Sequence, residues 1–136
     1  TILVTGLLGP LSVADLAAVT ANLYNPRKFA NFAKLDVINA ATNTITVTAH
    51  VQYLKTAKLT DADVTAAISS AFLRLQARLQ MGVQTIDPSL IEGTIFDASD
   101  AIWVVTLSAP AAPTLIAWDE RPAFALSGMT YEAVDA

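Results

Sequence analysis

The sequence predicts an α+β fold: a ferredoxin-like split β-α-β-β-α-β sandwich with an extra short helix and a C-terminal β-hairpin extension. Three observations predict it. Apolar segments of strand and helix type follow one another in that order along the chain. One stretch, Ile45 to Leu54, alternates apolar and polar residues, as a strand of an antiparallel sheet covered on one side must. A long capped amphipathic segment then supplies a helix to do the covering. The chain has 136 residues, the length of one domain, which buries roughly 68% of the surface of its unfolded form.

Each element has its own local signal. Ile2-Leu3-Val4-Thr5 reads as the first strand, and Ser12 with Asp15 three residues on has the spacing of a helix N-cap. The helix it opens runs from about Val13 to Tyr24 and ends at Asn25-Pro26. Arg27 to Ala33, with Phe29 and Phe32, reads as a turn packed by its aromatics. Leu35 to Leu54 reads as a hairpin, because Ala41-Thr42-Asn43-Thr44 is a turn cluster between two β-rich stretches. In its second arm Ile45, Val47, Ala49, Val51 and Tyr53 form the face to be buried, and Thr46, Thr48, His50 and Gln52 the polar one.

The second helix spans Asp61 to Gln80, with Thr60 as N-cap, Asp61 and Asp63 at the positive end of the dipole, and Gly82 as the C-terminal cap. Val64, Ile68, Ala71, Phe72, Leu75 and Leu79 make its apolar stripe; Leu73 and Met81 lie off it. Asp87-Pro88-Ser89 starts a short third helix that reaches about Phe96. Ala101 to Leu107 follows as a strand apolar on both faces, so something beyond the helices must cover its second side. Beyond the linker Pro110 to Pro113, Thr114 to Trp118 and Ala123 to Glu132 are expected to form a hairpin about the turn Asp119-Glu120-Arg121-Pro122. The expected division is therefore an α+β domain over residues 1–109 and a β extension over 110–136.

Composition narrows the function. Hydrophobic residues make up 54% of the chain and charged residues only 15%, below the roughly 25% of ordinary soluble domains. A surface so poor in charge predicts that part of it faces another protein. The net charge is −4 and the eight basic residues are dispersed, which argues against nucleic acid as a partner. The absence of cysteine rules out disulfides and thiolate metal sites. No apolar run approaches the about 18 residues of a membrane span, and the start lacks a basic signal-peptide region. A soluble protein without a membrane partner is expected.

Leu79-Gln80-Met81-Gly82, Ile86-Asp87-Pro88-Ser89-Leu90-Ile91 and Trp103-Val104-Val105-Thr106-Leu107-Ser108-Ala109-Pro110 follow one another over Leu59 to Pro110, after Lys34-Leu35-Asp36-Val37 and Ile45-Thr46-Val47-Thr48-Ala49. In this succession the chain resembles the C-terminal region of the baseplate J-like wedge proteins of contractile phage tails, from about Gly9 to Val134. The resemblance implies a structural role in a sixfold baseplate. It implies contacts with hub proteins, other wedge proteins and copies of itself, in a virion assembled in the host cytoplasm. Family members carry a long N-terminal region that this sequence lacks, so a fragment or a reduced version is expected.

Groups able to do chemistry have simpler readings. His50 is the only histidine and sits on a strand's polar face; Asp61 and Asp63 open a helix; Asp119, Glu120 and Arg121 suit a solvated turn. Gly6, Gly9 and Pro10 lack the spacing and the lysine of a phosphate-binding loop. No catalytic, metal or cofactor site is expected, and the interface candidates are Trp103, Trp118, Phe124, Tyr131 and Leu73. The expectation is a non-enzymatic assembly protein. The alternative is a ferredoxin-like domain that binds a small ligand or regulates, which would need polar groups converging in a cleft.

Overall fold

The computed structural model describes residues 2–4, 9–23, 37–79 and 81–135. The expected aromatic turn over 27–33 lies outside them. Among the described residues the fold is α+β, with three α-helices, a mixed sheet and two small two-stranded ladders. In chain order the elements are β1 (Ile2–Val4), α1 (Val13–Leu23), β2 (Val37–Asn39), β3 (Ala41–Leu54), α2 (Asp61–Arg78), β4 (Gln84–Ile86), α3 (Pro88–Asp97), β5 (Ile102–Ala109), β6 (Thr114–Ile116), β7 (Glu120–Leu126) and β8 (Thr130–Val134).

The helix starts follow the sequence. Ser12 Oγ accepts from Asp15 N (3.1 Å) and donates to the Asp15 carboxylate (2.8 Å). Thr60 and Asp63 form a reciprocal capping box. Asp87 caps α3 by accepting from Ser89 N at 3.1 Å, with Pro88 in the first turn. The end of α2 differs from expectation. The helix stops at Arg78 with Leu79 as its extended cap, and Gly82 stands beyond it. Gly82 uses its φ of +118° to turn the chain into β4 and donates its N–H to Glu120 O (3.1 Å).

β3 is the axis of the sheet. Its Ile45, Val47, Ala49, Val51 and Tyr53 are all buried, as the alternation requires. β5 pairs with it antiparallel on one side. On the other side β7 pairs parallel with residues 41–47 and β8 parallel with residues 50–54. Val64, Ile68, Phe72 and Leu75 of α2 and Ile91 and Ile95 of α3 join these strands in one core, to which Ile86 and Ile116 of the β4–β6 ladder add two buried isoleucines.

Four expectations about pairing are corrected. The hairpin expected over 35–54 does not form among the described residues: β2 pairs with β1 in a parallel ladder, and the chain passes through Ala40 straight into β3. Ala41-Thr42-Asn43-Thr44 is strand rather than turn, because β7 lies alongside and satisfies its backbone. The first strand therefore does not enter the main sheet as a ferredoxin-like arrangement would require. The C-terminal hairpin is absent too. β6 turns back to β4, while β7 and β8 run on collinearly along β3.

The step between β7 and β8 is a single-residue bulge. Val47 faces Leu126 and His50 faces Thr130, so three steps on β3 are matched by four on the tail. Gly128 takes a φ of +73° there, and Thr48 Oγ1 donates to Ser127 O (3.0 Å). Strand pairing thus carries the main sheet across residue 110, and the tail docks in cis. Asp119-Glu120-Arg121-Pro122 is not the expected solvated turn. Glu120 opens β7, and Arg121 is only 3% exposed, with its guanidinium against Gly9. Proline at 122 is tolerated because β7 is, among the described residues, an edge strand.

Candidate interaction surface

Large apolar side chains that stay in water mark the surface to be explained. Trp103 is 56% exposed, and its place in β5 shows why. Gln52 faces Val104 and Tyr53 faces Ile102, so Trp103 is the extra residue of a bulge. A second bulge falls at Ser108, since Thr48 faces Ala109 while Ala49 faces Leu107. Val105 and Leu107 pack on the core beside Val51 and Ala49, and Val104 and Thr106 fall on the open face. Among the described residues, the second side of β5 is therefore uncovered. The C-terminal strands β7 and β8 lie on the far side of β3.

A second apolar patch lies on the β4–β6 ladder. Thr85 faces Leu115, so Leu115 (69% exposed) shares the outer face with Thr85, and Val83 (74%) precedes the same strand by one residue. Trp118, 64% exposed, follows β6. Leu73, half exposed on α2, borders a groove of about 270 Å³ lined by Ser69, Phe72, Gln76, Phe124 and Leu126. Of the five interface candidates, Trp103, Trp118 and Leu73 are thus open to solvent. Phe124 and Tyr131 are half-buried on the core face, where Phe124 meets Phe72 with ring centroids 5.2 Å apart and donates its backbone N–H to Gln76 Oε1. Val83 and Leu115 were missed in the sequence because a ladder of three residues a strand is too short to show alternation.

His50 sits on the open face of β3, as its place in the alternation implies. Its Nδ1 lies 2.8 Å from Thr130 Oγ1 and its Nε2 3.1 Å from Glu132 Oε2, and Gln52 Nε2 donates to the same carboxylate oxygen (3.1 Å). These bonds, first from Gln52 and then from His50, hold the Glu132 carboxyl below its usual range. Asp63 is likewise lowered, by the Thr60 backbone N–H and hydroxyl. The Tyr53 hydroxyl donates to Asp61, which raises its pKa, with burial and the charges of Asp61 and Asp63 adding to the shift.

These are cross-strand and capping bonds. The His50–Glu132 pair is largely in water, and among the described residues no three histidine, aspartate or glutamate side chains gather as a metal site. A groove of about 310 Å³ between α2 and α3 is lined by Arg74, Arg78 and Asp97, all exposed. Among the described residues no helix is long and apolar enough to cross a membrane. The sequence matches no model of a known protein family and no curated protein.

Proposed function

We propose that the chain is a structural component of a contractile phage tail baseplate, forming wedge contacts around the hub. The observation that carries this reading is the exposure of Trp103, Val104, Leu115 and Trp118. Water around such residues is released when a partner covers them. The partners in this reading are other wedge and hub proteins and copies of the chain, not nucleic acid or a membrane. The role is non-enzymatic and needs no cofactor, and the place of action is the virion after assembly in the host cytoplasm.

Cross-linking and mass spectrometry on purified tails test the proposal. The chain should be present in them and cross-link to baseplate neighbours. A Trp103→Ser/Trp118→Ser double variant, with unchanged circular dichroism because both side chains are exposed, should fail to incorporate. A chain absent from purified tails, or full incorporation of the variant, would overturn the reading.

A further inference from the structure

We infer that the outer edge of β5 pairs antiparallel with β5 of a second copy, joining two main sheets into one continuous sheet across a twofold axis. This goes beyond the baseplate reading and does not depend on it. Among the described residues β5 pairs with β3 alone, so the backbone N–H and C=O groups pointing away from β3 have no ladder partner. What such a row accepts is another extended strand.

The two edges of the sheet differ in how they meet this hazard. The β7–β8 edge carries Glu120, Pro122, Glu132 and the bulge at Gly128, the devices that discourage edge pairing. β5 reads Ile-Trp-Val-Val-Thr-Leu-Ser-Ala, with no charge and no proline. Its only interruptions are the bulges at Trp103 and Ser108, which leave Val104 to Leu107 in regular register between them. The β7–β8 edge is guarded by charge and proline; on β5 only the two bulges bear on pairing, and the four residues between them carry neither charge nor proline.

A second copy is the occupant because β5 is compatible with itself. Antiparallel pairing of two identical strands about Val105 sets Val104 beside Thr106 of the other copy and brings no like charges together. The nearest acids, Asp97 and Asp100, then lie at opposite ends of the new ladder, whereas parallel pairing would set each beside its twin. Twofold pairing of this kind closes on itself and does not propagate into fibres.

Sedimentation equilibrium of the 136-residue chain, with hydrogen exchange at low and high concentration, tests the inference. The expected mass at high concentration is about twice 14.3 kDa, and amide protection over residues 102–109 should rise with concentration. Thr106→Lys and Val104→Lys place a charge on the open face of the edge, opposite Val104 or Thr106 of the other copy and diagonally across from its own counterpart, and should each return the chain to a monomer with unchanged circular dichroism. A wild-type monomer at all concentrations would overturn the proposal. So would a dimer whose concentration-dependent protection falls on 114–118 or 120–134 instead of β5; that result needs no variant to fold.

Discussion

Removing the ring contact between Phe72 and Phe124 tests whether the tail is part of the core or an appendage. Phe72 is 3% exposed on α2 and Phe124 is half-buried on β7, with centroids 5.2 Å apart and planes inclined at 51°. Phe72→Ala should cost about 3–5 kcal/mol, the range for a buried aromatic. Phe124→Ala should cost less, about 1–3 kcal/mol, since part of its ring already meets water. The double variant should cost less than the two together by about 0.5–1.5 kcal/mol, the worth of a tilted aromatic pair beyond its buried area. Urea unfolding of the four proteins, followed by far-ultraviolet circular dichroism, gives all three quantities. A coupling below about 0.3 kcal/mol, with both single variants folded, would mean that β7 does not lie on α2 and that the parallel pairing with β3 is wrong.

Other outcomes follow from single sites. Leu75→Ala should cost about 2–5 kcal/mol and Leu73→Ala under about 0.5 kcal/mol by denaturant unfolding, because Leu75 is buried and Leu73 half exposed; equal costs would refute the orientation of α2. Gly128→Ala should destabilise by more than about 1 kcal/mol, since the new methyl must sit at positive φ, 3.1 Å from Thr48 Cγ2, and a neutral effect in thermal unfolding would remove the bulge. Asp63 and Glu132 have lowered folded-state pKa values, so the unfolded chain takes up their protons first as pH falls. Their stabilisation is complete above the ordinary carboxylate range and lost as pH falls through their folded values, which urea midpoints between neutral and acid pH will show. Tyr53, raised by its bond to Asp61, has the opposite sign. Its contribution is present below the ordinary tyrosine value and disappears as pH rises through the raised one, and Tyr53→Phe should abolish this alkaline loss.

What the sequence made legible was local. Thr60 with Asp63, Asp87 with Pro88, the stripe from Val64 to Leu75 and the alternation of Ile45 to Tyr53 are read within one element, and each stands where the pattern puts it. The errors lie where a partner far along the chain decides. Asn43 looks like a turn residue, and is strand because Pro122 lies opposite it. Arg121 looks solvated between Glu120 and Pro122, and is buried with its guanidinium beside Gly9, more than a hundred positions earlier. For the interaction surface, Trp103, Trp118 and Leu73 could be named from hydrophobicity off the expected core pattern. Phe124 and Tyr131 share that hydrophobicity but face inward, and only the register of β7 and β8 on β3 shows it.

The long strand β3 also sets an order of events for a chain made from its N-terminus. Its first half has β7 as its strand partner, and β8 completes the side opposite β5. Both lie about 80 positions later in the sequence, so their pairing closes a long loop and comes slowly. While a ribosome is still making residues 120–134, Ile45 and Val47 lack the strand neighbours Phe124 and Leu126. Nascent chains would therefore carry this stretch of backbone without its strand partners while about 80 further residues are made, and their yield in a cell would depend on what shields it until β7 and β8 arrive.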